Sequence, residues 1–166
     1  MTRIAKTRIA PKRPVASCLA VTLALALAAC ATVPPADHAT LARQVTETEQ
    51  AFAGTMARRD FAAFERFLAD DAVFYSGPVP QRGEAAVAGF WKRYFAEGKA
   101  PFSWAPDRVD VLDSGTLAHS SGPVHDAEGK LIARFNSVWR REAAGQWKIV
   151  FDKGEPVCNY AGTARP

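Results

Sequence analysis

The chain has 166 residues, 48% of them hydrophobic and 23% charged, an ordinary composition for one compact domain. Its formal charge of +4 is misleading, because Arg3, Lys6, Arg8, Lys12 and Arg13 all precede residue 30 in a stretch without any acidic residue. Without those five, the basic residues fall one short of the 17 acidic ones, so the remainder has no electrostatic reason to track nucleic-acid phosphates.

The chain opens with the parts of an export signal. A basic segment from Arg3 to Arg13 precedes an apolar run from Val15 to Ala29. The run is shorter than the ~20 apolar residues a transmembrane helix needs. Its end, Leu27-Ala28-Ala29-Cys30, resembles the lipobox of bacterial lipoproteins. The resemblance implies cleavage after Ala29 and acylation of Cys30. Because Ala31 follows instead of Asp, it also implies sorting to the outer membrane, facing the periplasm. An ordinary cleaved signal with an incidental Cys30 is the alternative. Residues 1–29 are then the signal, 30–39 a tether containing Pro34 and Pro35, 40–155 the domain and 156–166 a tail. Once Cys18 is removed and Cys30 lipidated, Cys158 has no partner left for an intrachain disulfide.

In the domain, Leu41, Val45, Phe52 and Met56 recur at helical spacing, and Arg58-Arg59 ends the pattern. Asp60 is an N-cap for a shorter second helix carrying Phe61, Phe64, Phe67 and Leu68, closed by Asp70-Asp71. Residues 72–76, AVFYS, read as a first strand, and 77–83 as a turn. Val87, Phe90, Trp91, Tyr94 and Phe95 then predict a third helix stopped at Gly98. Beyond it the period changes from helix to strand. Four strands are expected at 102–115, 116–126, 130–142 and 146–154, joined by short Gly-containing turns and therefore antiparallel neighbours. Two helices, a strand, a helix and a meander make an α+β layout with the helices on one face of a curved sheet.

The stretches FAGTMARRDFAAFERFLADDAVFYS, RGEAAVAGFWKRYF and SVWRREAAGQWKIVFDKG resemble the nuclear transport factor 2-like superfamily, which includes ketosteroid isomerase and SnoaL-type cyclases. The likeness is to the subgroup akin to the association domain of calmodulin-dependent kinase II. It covers about residues 40–155 and implies a cone, in which a curved antiparallel or mixed sheet wraps around about three N-terminal helices and leaves a pocket at the open end. It also implies a small, mostly apolar ligand and a homodimer formed through the sheet; no cofactor is expected. Aligned with ketosteroid isomerase, Phe52, Ser76 and Ser137 occupy the three catalytic positions, so that chemistry is absent there.

The chemistry-bearing residues that remain are few. Both His119 and Asp152 are candidate bases; Tyr75, Asn136 and Ser137 are candidate donors. His119 and His125, six apart on one strand, lie ~20 Å apart and cannot share one metal ion. Asp152 is either a pocket carboxylate or a strand-end residue paired in solvent with Lys153 or Arg134. Phe52, Tyr75, Ser76, Trp91, Trp104, Asn136, Ser137 and Trp139 are the expected pocket set, though plain core packing is the favoured reading of any single Trp, and Trp104, near the sheet rim, is the best placed of the four for a ligand. Alternation groups Phe135, Ser137 and Trp139 on one face of their strand and Arg134, Asn136 and Val138 on the other, but a one-residue slip would exchange them. Phosphate-loop, nucleophile-elbow, CxxC and zinc-protease motifs are missing. Two functions follow from these residues: a lipid-anchored domain holding a small apolar or amphipathic molecule, or a lyase or isomerase acting on a small carbonyl compound. A third, a dimerising scaffold, needs only the outer sheet face.

Overall fold

The structure, a computed structural model, describes residues 37–96 and 98–157. The expected signal, Cys18, Cys30, the tether before Asp37 and Cys158 all lie outside the described residues.

Helix α1 spans His38–Arg58 and is capped by the Asp37 side chain, which accepts from the Ala39 amide. It ends where the sequence places its end: Arg59 takes a left-handed conformation with φ 61°. Asp60 then caps the short helix α2, Phe61–Glu65, accepting from the Ala63 amide at 2.9 Å. Strand β1 spans Leu68–Tyr75 and β2 Gln81–Arg82. Helix α3, Glu84–Trp91, runs on as a 3-10 turn over Lys92–Phe95. The remaining strands are β3 (Phe102–Trp104), β4 (Arg108–Val111), β5 (Leu117–Asp126), β6 (Leu131–Arg141) and β7 (Trp147–Pro156).

These strands form one curved, unclosed sheet in the order β2-β1-β7-β6-β5-β3, with β4 also paired to β5. All the ladders are antiparallel except that between β1 and β7. The layout is the α+β one expected, with a mixed sheet. Several expected boundaries differ: the expected turn 77–83 holds the short strand β2, and the third helix, expected to run to Gly98, ends at Trp91 before its 3-10 turn. Leu68 belongs to β1, not to the second helix, because it pairs with Ile149 of β7, and a register irregularity before Val73 absorbs the intervening residues. The spacing of Phe64, Phe67 and Leu68 suits a helix equally well, so the long-range ladder decides. The expected strand 102–115 is two strands, interrupted at Ala105-Pro106-Asp107, where the proline has no amide for a ladder.

That interruption presses against β5. A Cβ on Gly122 would lie 1.9 Å from the Ala105 carbonyl oxygen, so the backbones approach as closely as they do only because residue 122 is glycine. Inside the sheet, Phe52 of α1 is the hub of the core. Its ring stacks on Phe64 at 5.1 Å and meets Trp104 and Trp139 edge-on at 5.5 and 5.8 Å. Full burial of such a side chain contributes about 1.5–3 kcal/mol.

Candidate functional site: an acidic aromatic cavity

Glu49 lies four residues after Val45 and three before Phe52, on the same helical stripe as Leu41 and Met56. The period that buries those apolar residues buries Glu49 with them, at 0% exposure. A carboxyl placed there needs partners, and three strands supply them. Trp104 of β3 donates its indole N–H to Oε1 at 2.8 Å. Ser120 of β5 donates to Oε2 at 2.6 Å, and Trp139 of β6 donates to the same oxygen at 3.0 Å. An indole N–H can only donate, so both tryptophans require an acceptor at this point. Burial pushes the Glu49 carboxyl above its ordinary range, while the hydrogen bonds from Ser120, Trp104 and Trp139 oppose the shift.

Next to this knot is a cavity of about 360 Å³ between the helices and the inner sheet face. Phe52, Trp91, Tyr94, Phe102 and Trp104 supply aromatic wall, and Tyr75 and Ile132, 40% and 38% exposed, mark its open side. Ser76 also lines it, accepting the Trp91 indole N–H at 3.0 Å. Asp152 contributes the carboxyl. Cross-strand register sets Ser120 opposite Ser137 and Ser137 opposite Asp152, so all three share the inner face. Ser137 donates to Asp152 Oδ2 at 3.0 Å. Although Asp152 keeps some accessible surface, its carboxyl is poorly hydrated. Burial first, and repulsion from Glu49 second, push its pKa up to about 7, against the Ser137 hydrogen bond. A larger, shallower groove of about 740 Å³ runs between α1, α2 and the β6–β7 turn. Its Glu47, Arg58 and Arg66 are exposed to solvent, and it holds no comparable buried acid.

The register places the sequence candidates. Phe52, Tyr75, Ser76, Trp91, Trp104 and Asp152 line the cavity. Ser137 stands behind Asp152, and Trp139 is wholly buried with its N–H on Glu49. Two candidates fall elsewhere. Asn136 pairs with Ser121 and Lys153 and faces away from the cavity, because strand alternation opposes it to Phe135 and Ser137. His119 pairs with Val138 and Asp110, on the face opposite its buried neighbours Ala118 and Ser120. His119 is therefore not a base for this cavity. Among the described residues, no group of three His, Cys, Asp or Glu side chains is placed to hold a metal ion. Glu49, Ser120 and Tyr94 are absent from the sequence-based set. For Glu49 a signal existed, since it is a charged residue on an otherwise apolar helical stripe.

A curved sheet around N-terminal helices with an aromatic cavity on its inner face defines a pocket protein of the nuclear transport factor 2-like class. Residues 45–153 match the SnoaL-like domain family, and the chain belongs to it. Three solved structures share the fold. An NTF2-like protein of unknown function from Pseudomonas putida is 16% identical with a TM-score of 0.59, covering 77% of this chain and 98% of its own. An NTF2-like superfamily protein from Salmonella enterica is 16% identical with a TM-score of 0.57, with the same coverage, 77% and 98%. A DUF3225-family protein of unknown function from Pectobacterium atrosepticum is 17% identical with a TM-score of 0.58, covering 72% and 93%. No curated protein matches the chain. At these identities the likeness extends to the fold and not to the chemistry.

Asp152 makes stability depend on pH, with a definite sign. The unfolded chain releases this proton near pH 3.8, the folded protein only near pH 7. Folding stability therefore falls as pH rises across that window, and the penalty persists above it. Asp152→Asn removes the penalty and keeps an acceptor for Ser137. Its melting temperature should exceed that of the wild type at about pH 8, with little difference at about pH 4. Paired thermal melts decide; a gap that does not widen with pH contradicts this origin of the shift.

Proposed function

We propose that the domain binds a small apolar or amphipathic molecule in the aromatic cavity, with Asp152 as the polar anchor. The observation that carries the reading is the cavity itself: about 360 Å³, walled by rings, with one carboxyl on its inner surface. Apolar walls with a few placed polar groups are the usual form of a small-molecule site. Trp104→Ala should weaken uptake of a neutral fluorescent probe such as Nile red by about tenfold, the loss expected for a buried aromatic anchor. Asn136→Ala, on the opposite sheet face, should leave uptake unchanged. Equal losses in the two variants, or no uptake by the wild type, would refute the reading.

A second reading is favoured by the Asp152 carboxyl, whose pKa of about 7 suits a general acid or base near neutral pH. In this reading the protein is a lyase or isomerase acting on a small carbonyl compound. Asp152 moves the proton, and Ser76 donates to the carbonyl oxygen. Deuterium exchange beside the carbonyl of a bound ketone, catalysed by the wild type and abolished in Asp152→Asn, separates turnover from plain binding.

The domain is, in the same proposal, an outer-membrane lipoprotein facing the periplasm, supported by the lipobox-like residues ending at Cys30. No helix among the described residues is long and apolar enough to cross a membrane. The outer sheet face, where Phe151 is exposed beside Val138, is the surface for the expected homodimer. Cys30→Ser should abolish acylation, and globomycin should make the wild-type precursor accumulate. Wild-type protein that fractionates as soluble, with no precursor under globomycin, refutes the anchor.

A further inference from the structure

The charge lining the cavity is one-sided. Asp152 is on its wall, and Glu49 stands behind Trp104, joined to it through the indole N–H. No Lys, Arg or His is among the lining residues. The other titratable lining residues are Tyr94, from the turn after α3, and Tyr75 of β1, which pairs with Lys153 at the rim. From β6, Ser137 faces Asp152. Lys153 is next in sequence, but it alternates to the other face and pairs with Glu155 at 2.6 Å. Neither Glu49 nor Asp152 has a basic partner among the described residues.

Two acids packed together in apolar surroundings without a counter-charge are unfavourable when ionised. A ligand that supplies the counter-charge removes that cost, whereas an anion adds to it. The walls discriminate in the same direction. Phe52, Trp91, Tyr94, Phe102 and Trp104 surround the space with rings, and a ring face attracts a cation within about 6 Å. Trp104 donates its N–H to the Glu49 carboxyl, which polarises the indole toward a more electron-rich ring. A neutral apolar molecule would use the rings but leave Asp152 without a partner on the cavity side.

Building on the ligand-binding reading above, we infer that the cavity takes a small lipophilic cation, an organic ammonium whose apolar part packs on the rings and whose charge rests against Asp152. The open side between Tyr75 and Ile132 gives such a molecule its entry, and the inner end, at Asp152 and Trp104, receives the charged group.

The test compares benzyltrimethylammonium with neopentylbenzene, which has the same shape but no charge. The quaternary nitrogen of benzyltrimethylammonium has no N–H, so any preference reports charge and not hydrogen bonding. Calorimetric or NMR titration of the full domain at about pH 8 should show the cation binding at least about tenfold tighter. Asp152→Asn should remove most of that preference while the neutral compound keeps its affinity. Affinity for the cation should also fall as the pH drops from about 8 to about 5, since protonation of Asp152 removes the attracting charge. Equal or tighter binding of neopentylbenzene overturns the inference yet leaves an apolar-ligand pocket standing. An undiminished preference in Asp152→Asn also overturns it. Binding of neither compound sinks both this inference and the reading beneath it.

Discussion

The Glu49 carboxyl is the constraint on which the arrangement of this domain depends. One side chain on α1 accepts hydrogen bonds from Trp104 of β3, Ser120 of β5 and Trp139 of β6. Helix-on-sheet packing by apolar contact alone tolerates sliding, since its attraction is non-directional. Three donors converging on two oxygens do not tolerate it. Trp104 would lose its acceptor if α1 turned or shifted, and Ser120 and Trp139, which also bonds Ser120 Oγ at 3.0 Å, would lose theirs on Glu49; a buried unsatisfied donor costs about 1–3 kcal/mol. The knot therefore fixes the helix against the sheet and, through the Trp104 indole, fixes one wall of the cavity.

Asp152 depends on that knot in turn. Its position comes from the β6–β7 register, which faces it inward opposite Ser137, and its proton affinity comes from burial and the nearby Glu49. A domain selected only for stability would have little use for an acid in such surroundings, because removing its charge from water is unfavourable. Sites that depart from the stable arrangement are where function is sought. Glu49 has a structural reason to exist in its donor set. Asp152, on the cavity wall with Ser137 as its one hydrogen-bonding side-chain partner among the described residues, does not. That contrast makes Asp152 the residue around which the proposed binding and the proposed proton transfer both turn.

Membership of the SnoaL-like family accounts for the cone and its pocket but not for what the pocket accepts. Phe52, Ser76 and Ser137 each have a packing or hydrogen-bonding role here. Phe52 packs the core, Ser76 accepts from Trp91, and Ser137 orients Asp152. The acid on the cavity wall belongs to the last strand. Chemistry resides in side chains and not in the fold, so the shared scaffold does not decide what the cavity accepts.

Much of the architecture was legible in the sequence because it is encoded locally. The stripe from Leu41 to Met56 made α1, the Asp60 cap began α2, and the short Gly-containing turns made the β5-β6-β7 meander antiparallel. Aromatic residues crowding one small domain pointed to the ring-lined wall, and Phe52, Tyr75, Ser76, Trp91 and Trp104 reached it. What the sequence left open was every question of which face and which partner. Asn136 and Ser137 are adjacent and equally polar, and only the ladders with Ser121 and Lys153 turned one outward and the other toward Asp152. His119 was likewise assigned to the outer face by its pairing with Val138 and Asp110. Leu68 became strand through contact with Ile149, remote in sequence. Glu49 was marked by its place on an apolar stripe, but its meaning required donors from residues 104, 120 and 139 at once. Periodicity and turn chemistry act over a few residues and so can be read along the chain; register, burial of charge and the proton affinity of Asp152 arise between distant segments and exist only once the sheet has closed over the helix.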